Sequence, residues 1–278
     1  MSRSYLFIPG DVPRMLQNLD VFDADSIIID FEDSVAIDQK DEARLLTQAF
    51  LSKHHFKELD LYIRVNDVSQ KTLFEADMQA IKALNIHGIV LPKVTLEALD
   101  SVDAFFDREN ITFPIIGIIE TPLAVLEAQT IAKHKRIQGL LLGAEDLTKD
   151  LGTTRTLDAE EILFARSQIV FAAKAYQKEA IDTPYVFVRD EAGLAVDAQR
   201  AARLGFTAKA SIHPNHVETI HHYFSPSKEA IHEAKRIVAQ SKKLNSMRFS
   251  LDGSMVDKPV IDRAKALLKR AEKYGVLS

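Results

Sequence analysis

The sequence predicts a closed (β/α)8 barrel, the TIM-barrel fold, followed by a C-terminal helical arm. Eight short apolar runs recur along the chain, and helical patterns separate them. The runs lack the polar–apolar alternation of strands with one wet face, as is typical of parallel strands buried on both sides. Eight such units in about 220 residues fit a barrel of this kind. We therefore expect a catalytic barrel over residues 1–224 and an arm or lid over 225–278.

The predicted strands are short and rich in Ile, Leu and Val. They are Tyr5–Ile8, Ser26–Asp30, Leu61–Val65, Gly88–Leu91, Ile115–Ile119, Gly139–Leu142, Tyr185–Val188 and Ala210–Ile212. An open doubly wound sheet is the structural alternative. That fold usually carries a Gly-rich phosphate turn after its first strand. Here the turn reads Pro9-Gly10-Asp11-Val12-Pro13, so the pattern favours the barrel.

Helical periodicity fills the segments between these runs. Apolar spacing predicts helices over Glu75–Leu84 and Leu157–Lys178, and Thr95 is a predicted N-cap. Asp197–Leu204 is rich in Ala and Arg, and Gly205 is placed to end that helix.

The C-terminal segment is predicted to lie beyond the eighth unit. After Ser225-Pro226-Ser227 a helix is expected to about Lys243, then a polar loop over Arg248–Pro259, then an amphipathic helix over Val260–Tyr274. This segment is interpreted as a lid, as an arm packed against a neighbouring subunit, or as both.

Composition excludes several classes of function. The chain has 278 residues with 35 basic and 40 acidic side chains, a net charge of −5, and no Cys. A thiol nucleophile, a thiolate metal site and a disulfide are therefore excluded. The mildly acidic balance offers no basic surface for nucleic acid. No window approaches a membrane span, and Tyr5–Ile8 is too short for a signal peptide, so we expect a cytoplasmic protein without membrane contact.

Polar residues follow most of the predicted strands. In an α/β barrel the carboxyl ends of the strands form the active site, so Arg64, Glu120 and Asp146 are expected to meet there. Crowded carboxylates repel one another unless a cation joins them, and oxygen ligands select a hard ion such as Mg²⁺. We therefore predict Mg²⁺ at Glu120 and Asp146, with Arg64 binding a substrate carboxylate bidentately.

A single acid after a strand is more often a helix cap or an ion-pair partner than a site residue. The prediction therefore depends on the joint pattern at one end of the barrel. Arg189-Asp190 is interpreted as a structural pair at the rim of the barrel, closing the seventh strand.

Eight motifs along the chain together resemble one known family, the citrate lyase beta-subunit-like family of the HpcH/HpaI aldolase superfamily. The motifs are Leu6-Phe7-Ile8-Pro9-Gly10, Ile29-Asp30-Phe31-Glu32-Asp33-Ser34-Val35, Ile63-Arg64-Val65-Asn66, Leu91-Pro92-Lys93, Ile119-Glu120-Thr121-Pro122, Leu142-Gly143-Ala144-Glu145-Asp146-Leu147, Ile212-His213-Pro214 and Gly253-Ser254-Met255-Val256-Asp257-Lys258-Pro259. The family includes citramalyl-CoA, malyl-CoA and citryl lyases. Each motif is weak alone, whereas their order along the whole chain is specific.

The resemblance implies a Mg²⁺-dependent carbon–carbon lyase with a barrel, a C-terminal arm and a homotrimeric or hexameric assembly. The implied substrate is a 3-hydroxy-3-carboxyacyl thioester of the citramalyl-, malyl- or citryl-CoA type. The implied products are acetyl-CoA and a 2-oxo acid.

The resemblance also assigns roles to individual residues. It implies that Glu120 and Asp146 bind Mg²⁺, with Glu120 also close to the substrate. Arg64 would bind the carboxylate and take part in catalysis, and Asp257 would be a catalytic residue on an arm that reaches an adjacent subunit. The implied substrate-side positions are Phe7, Arg14, Ile212 and His213, with Arg14 near the CoA phosphates.

Other functions stay open at this stage. One is the beta subunit of a citrate lyase complex that acts on citryl-ACP beside alpha and carrier subunits, and another is a malyl-CoA thioesterase. A barrel aldolase for free oxo acids would lack the motif around Asp257 and the basic residue Arg14. A barrel that binds a metabolite without turnover would be expected to have lost the acidic pair or Arg64, and neither is lost.

Overall fold

Eight parallel strands close into a barrel in which each strand pairs with the next along the chain and the eighth pairs with the first. This computed structural model describes residues 2–57 and 59–277. The strands are β1 (Ser4–Pro9), β2 (Ser26–Asp30), β3 (Asp60–Arg64), β4 (Gly88–Leu91), β5 (Ile115–Ile119), β6 (Ile137–Leu142), β7 (Glu179–Asp182) and β8 (Ala208–Ser211). The predicted (β/α)8 barrel is thereby confirmed.

Helices connect the strands and follow the barrel. They are α1 (Pro13–Leu16), α2 (Lys40–Leu51), α3 (Lys71–Ile81), α4 (Leu96–Glu109), α5 (Pro122–Leu126), α6 (Ala128–Lys133), α7 (Ala144–Asp150), α8 (Leu163–Ala175), α9 (Glu191–Leu204), α10 (His216–Phe224), α11 (Lys228–Leu244) and α12 (Lys258–Lys273). A 3₁₀ turn over Ile37–Gln39 precedes α2. No helix in the described ranges is both long and apolar enough to cross a bilayer.

The chain divides into two compact units, residues 1–221 and 222–278. The first contains the whole barrel. The second contains α11, α12 and a hairpin of β9 (Phe249–Leu251) and β10 (Ser254–Val256). The hairpin lies within the stretch that we expected to be a loop. Asp252 and Gly253 both have positive φ angles, 49° and 82°, as a tight Asp-Gly hairpin turn requires.

Strand alternation decides which side chains face the interior of the barrel. Ile28, Tyr62, Ile118 and Leu141 belong to its buried interior cluster. Side chains two residues apart lie on the same face of a strand. The interior face therefore continues from Tyr62 to Arg64 and from Ile118 to the residue that follows β5, Glu120, at the carboxyl end of the barrel.

The predicted seventh strand was wrong. Tyr185–Val188 lies in the loop after β7, and β7 itself is the polar segment Glu179–Asp182. Both of its charges have partners: the Tyr5 hydroxyl donates to Glu179, while Arg166 and Lys209 donate to the buried Asp182. An apolar-run criterion misses such a strand because tertiary ion pairs compensate its charges.

Arg189-Asp190 consequently does not close a strand. Asp190 is instead the N-cap of α9, where its Oδ1 accepts a hydrogen bond from the Gly193 N–H. The last strand also begins earlier than expected, at Ala208, and the long predicted helix over 157–178 is shorter, over Leu163–Ala175. The predicted stop at Gly205 is present, with φ of +106°.

Candidate active site

A cavity of about 330 Å³ opens at the carboxyl ends of the barrel strands. Most of its polar lining residues are acids, and Arg64 is the one basic residue of the described lining. The acids of the lining are Asp30, Asp33, Glu120, Glu145 and Asp146. Five of the predicted site residues, Phe7, Arg64, Glu120, Asp146 and Ile212, therefore lie around one cavity.

Arg64 ends β3 and is held from behind by Asp30, its pairing partner at the end of β2. Its Nε donates to Asp30 Oδ1 at 2.7 Å and its Nη2 to Asp30 Oδ2 at 2.6 Å. Burial would lower the pKa of Arg64, but the hydrogen bonds and charge of Asp30 raise it above its ordinary value. Arg64 is consequently a fixed, permanent cation at the base of the cavity.

Two further acids reach the same guanidinium. Glu32 Oε2 lies 2.9 Å from Arg64 Nη1, without hydrogen-bond geometry, and Asp33 Oδ2 lies 3.5 Å from it. Burial raises the pKa of Glu32 to about 8, although the Arg64 charge opposes the shift. The sequence places Asp30 and Glu32 in the acidic motif at the end of the second strand but predicts no individual role for either. The parallel pairing of Asp30 with Arg64 was a signal that could have indicated the first of them.

Glu120 follows β5 and is buried beneath the mouth of the cavity. Its Oε1 accepts a hydrogen bond from the Lys93 backbone N–H, and Lys93 adopts a positive φ of 45° in the turn after β4. Burial raises the pKa of Glu120 to about 7; the Lys93 N–H lowers it, and the charge of Asp146 raises it. The charge of Asp146 thus destabilises the ionised form of Glu120 in the absence of a cation.

Gly143 allows Glu120 to occupy this position. A Cβ at Gly143 would lie 2.6 Å from Glu120 Cβ and 2.7 Å from Glu120 Oε2. Gly143 follows β6 at the N-cap position of α7, and Asp146 lies in the first turn of that helix. The glycine therefore keeps space open beside the carboxylate oxygen that Lys93 does not bind.

The residues present fit a Mg²⁺ ion. Glu120 and Asp146 both present oxygen donors on the cavity wall, and burial together with the charge of Asp146 raises the pKa of Glu120, so a bound cation would stabilise its ionised form. Among residues 2–57 and 59–277, no group of three or more His, Cys, Asp or Glu side chains could hold an ion. Mg²⁺ is commonly bound by one or two protein carboxylates, with water and substrate oxygens completing its coordination.

A buried polar network holds the turn that carries Glu32. Lys40 Nζ donates to the carbonyls of Phe31 and Glu32, each at 2.7 Å, and Asn66 Nδ2 donates to the Phe31 carbonyl at 3.0 Å. Asp77 in turn accepts from Asn66 and from Arg44 at 2.7 Å. These contacts fix the loop between β2 and α2 against the end of β3.

The remaining predicted residues are not among those that line the cavity. His213 follows Ile212, and its Nδ1 accepts from the Asn215 N–H. Arg14 lies exposed in α1. Asp257 lies in the C-terminal unit, where it is the N-cap of α12 and accepts from the Val260 N–H.

Comparisons with known proteins place the chain among lyases. The family model described as HpcH/HpaI aldolase/citrate lyase matches residues 3–214. The citrate lyase subunit beta of Haemophilus influenzae is 34% identical, over 99% of this chain and 98% of the relative. The mitochondrial citramalyl-CoA lyase of Rattus norvegicus is 29% identical, over 97% of this chain and 86% of the relative.

A solved structure resembles the whole chain. It is that of CitE from Mycobacterium tuberculosis in complex with magnesium, acetoacetate and coenzyme A. The TM-score is 0.81 and the identity 28%, with 98% of each chain covered.

Proposed function

Because the chain belongs to the HpcH/HpaI aldolase/citrate lyase family and is a carbon–carbon lyase, we propose that it cleaves a 3-hydroxy-3-carboxyacyl thioester with the help of Mg²⁺. The products would be acetyl-CoA and a 2-oxo acid. One observation carries the proposal: Arg64 and the pair Glu120 and Asp146 line the same cavity. This arrangement offers one anchor for a carboxylate and one for an oxygen-bound metal ion. The magnesium in the similar CitE structure supports the choice of ion.

Each residue has a distinct task in this proposal. Glu120 and Asp146 would hold Mg²⁺, which when bound polarises the hydroxyl and carboxylate oxygens of the substrate. Arg64 keeps three N–H groups after its two bonds to Asp30. These N–H groups can donate hydrogen bonds to the substrate carboxylate once the side chains of Glu32 and Asp33 move away from the guanidinium.

Cleavage requires two proton movements. The substrate hydroxyl loses its proton, its carbon becomes the carbonyl of the oxo acid, and the electrons of the broken C–C bond form a thioester enolate. That enolate must then be protonated on carbon. By the family resemblance, Asp257 from a neighbouring subunit is the proposed donor, which accords with a proposed homotrimer or hexamer.

One experiment tests the lyase reaction in its reverse direction. The purified protein is incubated with Mg²⁺, acetyl-CoA and glyoxylate, pyruvate or oxaloacetate, and the product is identified by its mass. A hydroxyacyl-CoA whose formation requires Mg²⁺ is the expected result. The same reaction with EDTA is the control, and unchanged product formation there would contradict the metal assignment.

Two alternatives have support from the relatives. The similarity to citrate lyase subunit beta favours, as a second candidate, a citryl-ACP lyase that acts with alpha and carrier subunits. The other is a malyl-CoA thioesterase, the activity named for a Cereibacter sphaeroides relative that is 32% identical over 97% of this chain. It would release free CoA and malate from the condensation product. Mass analysis separates these outcomes: no CoA product with any oxo acid favours the carrier-dependent enzyme, and free CoA favours the thioesterase.

A further inference from the structure

We infer that the cavity selects thioesters whose oxo-acid half carries one carboxylate and a hydrogen or small apolar substituent, and that it rejects the dicarboxylic, citryl-type half. The inference rests on the proposed lyase function and names its substrate class. It follows from what lies below and beside the two anchoring groups.

The floor of the cavity is apolar. Ile118 and Leu141 are paired residues of β5 and β6, belong to the buried interior of the barrel, and lie directly below the level of Glu120. Phe7 on β1 packs against the same interior cluster. The Arg64 guanidinium carbon lies 5.2 Å from the centroid of the Phe7 ring. The groups that would anchor the substrate, Arg64 and the pair Glu120 and Asp146, therefore lie next to an apolar surface.

The side walls offer no second cation. Pro184, Val186 and Ile212 form an apolar wall after β7 and β8, while Glu145 and Asp33 form acidic ones. Two cations outside the lining, Arg155 and Lys93, interact with acids of the site, and both are paired. Arg155 donates to Glu145 at 3.0 Å, and Lys93 Nζ lies 3.5 Å from Asp67. Of the described residues that line the cavity, Arg64 alone is basic.

The geometry of the substrate explains how a cavity lined by a single cation discriminates between substrates. The hydroxyl-bearing carbon of the substrate also carries a carboxylate, the acyl arm and one further substituent. The first two take the metal site and Arg64, and the acyl arm must leave through the mouth because its carrier cannot fit in a cavity of about 330 Å³. The remaining substituent meets the floor or a wall. A hydrogen or methyl group is accepted there, whereas a carboxymethyl group would bury an unpaired charge.

The test compares thioesters and free oxo acids on the intact protein. With Mg²⁺ present, cleavage of malyl-CoA, citramalyl-CoA and citryl-CoA is followed by acetyl-CoA release. We expect kcat/KM for citryl-CoA to be at least about a hundredfold below the better of the other two. Equal values would overturn the inference while leaving the lyase function intact.

Calorimetric binding of pyruvate, glyoxylate and freshly prepared oxaloacetate provides a readout that does not depend on turnover. We expect pyruvate or glyoxylate to bind at least about tenfold more tightly than oxaloacetate. Equal or tighter binding of oxaloacetate, or no binding of any of the three, would overturn the inference. If no thioester is cleaved but the binding preference holds, the proposed function fails and the selectivity stands.

A charge introduced into the floor should weaken the preference. Phe7→Arg places a cation beside the substituent, and Phe7 is only partly buried, so the longer side chain has room. We expect the citryl-to-citramalyl ratio of kcat/KM to rise at least about tenfold in Phe7→Arg. Phe7→Gln, which adds polarity without charge, is the matched control and should keep the original preference. An unchanged ratio in folded Phe7→Arg would count against the assignment of Phe7 to this floor.

Discussion

Glu120 shows how closely one side chain depends on its neighbours. The sequence pattern places an acid at the end of the fifth strand and predicts that it lies near Asp146 and Arg64. It cannot reveal the left-handed turn at Lys93 or the approach of Gly143, because both depend on strands that are distant in sequence. The contacts of Asp30 and Glu32 with Arg64 cannot be predicted from the sequence either, since they depend on side-chain geometry.

The glycine next to Glu120 gives a first prediction. In Gly143→Ala the new methyl group would meet Glu120 Cβ at 2.6 Å and Oε2 at 2.7 Å, so the carboxylate must move. We expect the fold to persist and Mg²⁺ affinity to fall about 10- to 100-fold, as measured by titration calorimetry. Gly139→Ala in β6, the strand that precedes Gly143, is the matched control, because its Cβ would find its nearest neighbour at 3.4 Å. Equal Mg²⁺ affinity in the two variants would refute this role of Gly143.

The acids of the site also predict how stability depends on pH. The folded pKa values of Glu120, about 7, and Glu32, about 8, exceed their ordinary value of 4.5. The folded state therefore binds more protons than the unfolded state between about pH 5 and pH 8. By linkage, this contribution to stability is present at acidic pH and is lost as pH rises through the folded pKa values.

Melting temperatures measured without metal and with Mg²⁺ test whether this contribution to stability falls as the pH rises. Without metal, Glu120→Gln should lose less stability than the parent between pH 5.5 and pH 8, because its amide does not titrate. Histidines such as His216 and His221, whose pKa values are lowered, act in the opposite direction but cancel in this comparison. Mg²⁺ should raise the melting temperature of the parent more at pH 8 than at pH 5.5. If the melting temperatures of the parent and of Glu120→Gln changed with pH in parallel, the raised pKa of Glu120 would be contradicted.

At the level of elements, β7 is stabilised by ion pairs rather than by apolar content. Lys209 of β8 donates to Asp182 at 2.7 Å and to Asp197 of α9 at 2.6 Å, while Arg166 of α8 binds the same two acids. All four side chains are buried. The sequence could predict seven strands from their hydrophobic runs, but this one only through pairings that become visible in three dimensions.

Removing one cation of this cluster should therefore be costly. Lys209→Met leaves Asp182 and Asp197 with one buried positive partner, Arg166, and also removes the donor to the Thr183 carbonyl. We expect a loss of about 3–5 kcal/mol in the free energy of unfolding, measured by urea denaturation. Lys178→Met, one residue before β7, removes a charge that has no partner among the described contacts and should change stability by less than about 0.5 kcal/mol. A loss below about 1 kcal/mol in Lys209→Met would contradict the account.

At the scale of the whole molecule, the surface of the barrel unit exposes apolar side chains on one group of helices. Leu126 of α5 is 67% exposed, and Phe164 and Phe171 of α8 are 61% and 76% exposed. A groove between α5, α6 and α8 runs beside Phe171. The pattern of the sequence marked α8 as amphipathic but could not show that part of its outer face is also apolar. Extended apolar surface of this kind is typical of protein–protein contacts.

We propose that this face contacts a second copy of the chain in the expected homotrimer or hexamer. The wild-type protein should then sediment as a species of several times the 31.1 kDa chain mass. Phe171→Glu places a charge in the centre of the apolar face, so burying it in an interface would leave that charge desolvated and the assembly should shift toward monomer. Val21→Glu changes an equally exposed apolar residue outside the face, 71% exposed, and should leave the assembly unchanged. If Asp257 acts across subunits, the monomeric variant should also lose lyase turnover while keeping Mg²⁺ affinity. A monomeric wild-type protein with full turnover would exclude both the assembly and the shared site.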